Sequence, residues 1–279
     1  TVGETSSSGT IIRFSPDEEI FETLDFSYEV LRKRLEEVAY LILKGKLPNR
    51  SELDSYKAKL KSLRSLPQAL KEVLERIPAS AHPMDVMRTG CSMLGNLETE
   101  TDFDQQQDAT DRLLAVFPGM INYWYNFSHN GKRIEEETAA DSIAEQFLWT
   151  LHGEKPSELH TRVMQASLIL YAEHEFNAST FTARVCASTL SDMHSCITGA
   201  IGSLRGPLHG GANEVAFEIQ KRYDSPDEAE ADILARLENK EVIIGFGHPV
   251  YTVSDPRNVV IKAVAKELSE SANNTKMYD

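Results

Sequence analysis

From Tyr28 onward, apolar residues return at three- and four-residue intervals in run after run, each closed by Gly, Pro or a capping side chain. Leu31, Leu35, Val38, Ala39 and Ile42 share one face, and Gly45 with Pro48 stops that run. Ser51 to Asp54 opens a second helix with Leu53, Tyr56 and Leu60 inward, and a third follows Pro67 and ends at Ile77-Pro78. Pro83 suits the first turn of a helix carrying Met84, Met87, Cys91 and Leu94 on one stripe. Gly90, Ser92 and Gly95 give that helix a surface that a second helix can approach closely, inside the fold or across a subunit interface. A long run from about Asp108 to Phe127 contains Pro118-Gly119, which predicts a kink or a split there, and its aromatic end, Tyr123, Trp124, Tyr125 and Phe127, reads as core. Asp141 starts a further helix that Gly153 breaks, three more follow between Ser157 and Gly206, and Ser225-Pro opens another. Only Glu241 to Gly247 has a strand-like pattern, so the expected fold is all-α.

At 279 residues and 41% hydrophobic, the chain can bury a substantial core. Its net charge of -14 argues against a nucleic acid or an anionic membrane as partner, and any anionic ligand must be held by local positive groups. Cys91, Cys186 and Cys196 are odd in number and lack CxxC spacing, so they read as reduced thiols. No apolar run approaches the roughly 18 residues that span a bilayer, and the polar start TVGETSSSGT lacks the apolar stretch of a signal peptide. The expectation is a soluble cytoplasmic protein whose first 27 residues form an arm.

Chemistry concentrates in EVIIGFGHPVYTVSDPR, Glu241 to Arg257. Gly245 and Gly247 let the backbone pass near a ligand, and Pro249 holds His248 out of helical angles, so its ring can project from a rigid bend. His209 lies in RGPLHGGANE, just ahead of a helix beginning near Ala212. The positive end of that helix disfavours an imidazolium, and a neutral imidazole can still donate one hydrogen bond to a developing enolate oxygen. A tight helix corner explains the same glycines without any chemistry. His174 sits at a third backbone break, in YAEHEFNAST, and Arg257 can pair a carboxylate bidentately or simply be solvated. The other histidines, including His82 and His194, share no geometry that spacing reveals. Neither zinc, P-loop nor dinucleotide spacing occurs, so no metal and no nucleotide cofactor is expected.

RGPLHGGANE together with GFGHPVYTVSDPR resembles the two site motifs of the citrate synthase family. YAEHEFNASTFTARV, HPMDVMRTG and YWYNFSHNGKRI make the likeness closest to the bacterial enzymes that form 2-methylcitrate, over roughly Glu36 to the end. The resemblance implies a helical homodimer whose subunit has a large domain, here 28–208, and a small mobile one, here 209–279, that closes over oxaloacetate before an acyl-CoA reacts. His174 and Arg257 would bind oxaloacetate, His248 would polarise its ketone, and His209 would hold the thioester oxygen as the enol forms. Val242, Ile243, Ile244, Gly245 and Phe246 would lie along coenzyme A. The expected reaction is condensation of propionyl-CoA with oxaloacetate and hydrolysis of the thioester, with acetyl-CoA as the rival substrate and a non-catalytic binding or dimerisation module as the rival class. The family's proton-abstracting aspartate falls in a C-terminal region that none of these motifs reaches, so the C-terminal part of the fold is expected to be missing.

Overall fold

A computed structural model describes residues 34–174, 176–245, 251, 254–276 and 278. The predicted arm and the first turn after Tyr28 lie outside the described residues. What is described is helical, and no strand occurs among the described residues. The helices are α1 Leu35–Lys44, α2 Arg50–Ser62, α3 Gln68–Arg76, α4 Pro83–Leu97, α5 Gln106–Asn130, α6 Ile143–His152, α7 Glu158–Tyr171, α8 Ala178–Ala187, α9 Met193–Leu204, α10 Ala212–Gln220, α11 Pro226–Glu238 and α12 Arg257–Ser271.

Local chemistry sets most of the boundaries. Gly45, Gly131 and Gly153 adopt left-handed angles and close α1, α5 and α6. Ser142, Ser157, Asn177, Asp192 and Ser225 accept a first-turn amide and open α6, α7, α8, α9 and α11. The second helix starts one residue before Ser51, because Asn49 forms a reciprocal capping box with Glu52.

Two expectations change. Pro118 lies inside α5, a single 25-residue helix, so the expected split does not occur. Val116 and Met120 on either side of the proline are fully buried and Trp124 nearly so, and that packing outweighs one missing amide hydrogen bond. Glu241 to Ile243 form no strand either: Lys240 turns the chain at φ 58°, and no second strand among the described residues offers a ladder.

The main core joins α3, α4, α5 and α9 through Leu70, Leu74, Val86, Cys91, Leu94, Val116, Met120, Trp124 and Ile201. A smaller cluster packs α1 and α2 against α5 and α6 through Leu35, Ala39, Tyr56, Leu60, Ala115 and Ile143. Gly90 and Gly95 on α4 face Met120 and His194 respectively, so these small residues serve internal packing. Burial thins sharply beyond α9: α10 buries only Ile219, and α11 and α12 bury nothing completely. An ion pair between Arg162 and Glu267 ties α12 to α7.

Candidate active site

The turn between α9 and α10 folds tightly on itself. The amides of His209 and Gly211 donate to the Gly206 carbonyl at 3.0 and 3.1 Å, and the Ala212 amide donates to the His209 carbonyl at 3.0 Å. A Cβ at Gly210 would stand 2.6 Å from the Leu204 carbonyl oxygen, so no other residue fits there without moving backbone. The glycines do build a corner, and the same corner aims a histidine: His209 Nε2 accepts the Ser179 amide at 3.2 Å and lies 2.9 Å from the Ser179 hydroxyl. An amide can only donate, so Nε2 is an acceptor and the ring proton belongs on Nδ1. Burial lowers the His209 pKa below the ordinary histidine value, and the neighbouring His174 lowers it further. The imidazole is held neutral with one N–H left to give.

His174 occupies the bend between α7 and α8. Its carbonyl accepts from Asn177 Nδ2 at 3.3 Å, while Asn177 Oδ1 caps α8 through the Thr180 amide at 2.9 Å. The His174 ring meets Tyr251 edge to face, with centroids 5.4 Å apart, and the Arg257 guanidinium lies 5.6 Å from the centroid of the same tyrosine. Arg257 also forks onto Asp255, with Nε and Nη2 reaching the two carboxylate oxygens at 2.6 to 3.1 Å. The structure therefore gathers His174, His209 and Arg257, drawn from segments more than thirty residues apart, around one corner.

The expected coenzyme A stretch is described as far as Gly245. Val242 is 79% exposed, Ile243 is buried, and Gly245 turns at φ 108° where a Cβ would come 3.3 Å from Ala216 of α10. Phe246 and His248 lie outside the described residues.

Several neighbours escape sequence reasoning. Ser179 is one serine among many, and only the fold sets its amide against an imidazole thirty residues away. Tyr251 and Asp255 stand within the Glu241 to Arg257 motif, where a tyrosine and a helix-opening acid are ordinary. Tyr171 accepts from Asn213 at 2.9 Å, and His82 reaches Glu214 at 2.9 Å. Glu100, Asp192 and His194 present three potential ligand atoms within 4.8 Å of one another. Both carboxylates are already engaged at the positive end of α9, Glu100 by the Met193 amide and Asp192 by the Ser195 amide, which reads as capping.

The helical scaffold of the described residues and its histidine corner define the class of protein: a helical protein whose polar groups converge where three helices begin or end. Residues 25–279 match the family model described as citrate synthase, C-terminal domain, and the chain belongs to the citrate synthase family. It is 66% identical over 245 residues to the 2-methylcitrate synthase of Shewanella oneidensis, covering 87% of this chain and 65% of that protein. With citrate synthase 2 of Bacillus subtilis it shares 42% identity over 253 residues, covering 88% of this chain and 66% of the relative. The chain thus spans just under two thirds of the length of these curated relatives. Among solved structures, the citrate synthase of Thermoplasma acidophilum in ternary complex with carboxymethyl coenzyme A and oxaloacetate superposes with a TM-score of 0.80 at 30% identity, over 88% of this chain and 65% of that one. No described helix is long and apolar enough to cross a membrane.

Proposed function

We propose that the protein to which this chain belongs is a 2-methylcitrate synthase, condensing propionyl-CoA with oxaloacetate and water to give 2-methylcitrate and coenzyme A. The observation that carries the reading is the 66% identity with the Shewanella oneidensis enzyme. The chemistry it requires is supported by the neutral His209, whose Nδ1 proton is free of the Ser179 bond and can be given to the thioester oxygen as negative charge develops there. His248 polarises the ketone of oxaloacetate, and His174 with Arg257 binds its carboxylates. The thioester's α-proton leaves to the family's aspartate, which the matched motifs do not carry. The enolate carbon then attacks the ketone carbon, and water cleaves the thioester to release coenzyme A. Val242 to Phe246 lies along coenzyme A, which enters as substrate, so no resident cofactor or metal is called for.

The same reading assigns 28–208 to a large domain and 209–279 to part of a small one that closes over oxaloacetate, in a cytoplasmic homodimer. Closure would exclude water from the enol until the new bond has formed. A second reading, citrate synthase using acetyl-CoA, is supported by the 42% identity with the Bacillus subtilis citrate synthase. One methylene discriminates by only about 1 to 3 kcal/mol, so both thioesters are expected to react. Free-thiol release with oxaloacetate and either acyl-CoA, in the full-length protein, decides: a higher kcat/KM for propionyl-CoA supports the proposal and a higher value for acetyl-CoA replaces it. Saturable binding of both substrates without thiol release would leave a binding module instead.

A further inference from the structure

His82 caps the buried helix α4 and at the same time reaches the helix that carries His209. Its Nδ1 accepts the Met84 amide at 3.1 Å, which puts the ring proton on Nε2, and Nε2 lies 2.9 Å from Glu214 Oε2. Glu214 stands in the first turn of α10, five residues after His209. The two helices differ greatly in anchorage. Val86, Cys91 and Leu94 fix α4 in the main core with no exposed surface at all, whereas α10 buries only Ile219. Packing therefore holds α10 weakly, and the orientation of its first turn depends on polar ties. Among the described residues those ties include Ser179 to His209, Tyr171 to Asn213 and His82 to Glu214. Of the three, only the last runs to the main core.

We propose that His82 is a positioning residue, holding the first turn of α10 through Glu214 so that His209 stays seated on the Ser179 amide. The bond itself is partly exposed and contributes little to global stability. Its effect is on placement, and a small displacement of a catalytic donor costs far more in rate than in folding energy. This rests on reading His209 as the donor to the thioester oxygen, although the tether can be observed without turnover.

The test uses full-length protein labelled with ¹⁵N in its histidine rings. His82→Asn keeps a capping side chain on α4 while losing the reach to Glu214, Glu214→Ala removes the other partner, and Glu214→Gln keeps an acceptor. Thermal melts establish that each variant folds. In the parent, His209 is expected to titrate below the ordinary histidine range with Nε2 as the unprotonated, hydrogen-bonded nitrogen. In His82→Asn and in Glu214→Ala, its midpoint should move up towards the ordinary value and the Nε2 signal should lose its hydrogen-bonded shift. The double variant should add nothing further, and Glu214→Gln should behave as the parent does. Turnover should fall about three- to tenfold in the two disrupting variants with the KM for oxaloacetate unchanged. An unmoved His209 titration in both disrupting variants overturns the tether, whatever happens to turnover. A displaced titration with unaltered turnover upholds the tether and instead sinks the catalytic reading of His209.

Discussion

His209 Nε2 accepts the backbone amide of Ser179 at 3.2 Å, so the protein fixes the tautomer of this imidazole with a group that side-chain substitution cannot delete. Ser179→Ala removes the hydroxyl 2.9 Å from the same nitrogen yet leaves the amide in place. That variant should keep turnover within about fivefold of the parent, because only a neutral hydrogen bond of roughly 1 kcal/mol is lost. On the proposed reading, His209→Ala removes the donor to the thioester oxygen and should lower kcat by about two to three orders of magnitude, the usual cost of losing one oxyanion donor. Steady-state kinetics on the two variants checks the pair, and similar losses in both would mean that the hydroxyl rather than the ring is the working group.

Arg257 is already satisfied by Asp255, with Nη2 and Oδ2 only 2.6 Å apart. In the oxaloacetate site proposed above, a substrate carboxylate would compete with this internal partner, and the side-chain bond to Asp255 raises the arginine's pKa. Asp255→Asn should therefore tighten oxaloacetate binding by about two- to fivefold, the effect expected when a partly exposed ion pair no longer competes. Arg257→Ala should weaken it by more than tenfold through loss of a charge-assisted pair. Titration calorimetry distinguishes competition from alignment, since weaker binding in Asp255→Asn would show that the acid orients the guanidinium for its ligand.

Features encoded within a few residues were legible in the sequence, and features made by distant residues were not. The cap Ser225, whose side chain accepts the Glu228 amide, and stops such as Gly45 and Gly153 act within a few residues of themselves and so announce themselves. Pro118 did not split its helix because its cost is local while the compensation, burial of Val116, Met120 and Trp124, comes from other helices. The run Val242 to Ile244 misled because β-branched composition describes a surface fit for a sheet without supplying a partner strand. At the candidate site, His174 and His209 stood out beside backbone breaks and Arg257 at the start of a helix. Ser179, Tyr251 and the link from His82 to Glu214 did not, since the last joins positions 132 residues apart.

Glu75 at the end of α3 accepts the Tyr123 hydroxyl at 2.7 Å and a forked pair from Arg133 at 2.7 and 2.9 Å. Hydrogen bonding to Arg133 first, and to Tyr123 next, holds its carboxyl down at about 2, from an ordinary value of 4.5. The depressed value fixes the sign: the contribution to stability is complete above the ordinary value and is lost as pH falls from there towards 2. Glu75→Gln should be less stable than the parent to urea at neutral pH, and the gap should close as acid protonates the parent. A gap that persists unchanged at pH 2 to 3 would mean that the glutamine disturbs packing rather than charge.

Helix α4 meets α9 so closely that a Cβ on Gly95 would lie 2.6 Å from the Cβ of His194 and 3.0 Å from its Cγ. The nearer of the two, the His194 Cβ, cannot rotate away, because a Cβ moves only with its backbone. The His194 backbone is itself held by the Cys91 thiol on its carbonyl at 3.6 Å and, one residue earlier, by Glu100 on the Met193 amide at 2.7 Å. Gly95→Ala must push the two helices apart. Its overpacking cost of about 1 to 3 kcal/mol or more should outweigh the roughly 1 kcal/mol of helix propensity that alanine restores. Gly90→Ala on the same helix would overlap Met120 instead, chiefly at the sulfur of a flexible side chain that has other rotamers to adopt. Urea denaturation should therefore rank Gly95→Ala clearly below Gly90→Ala. The reverse order would show that α9 can slide along α4, and that the close approach of these helices is not what positions the turn leading to His209.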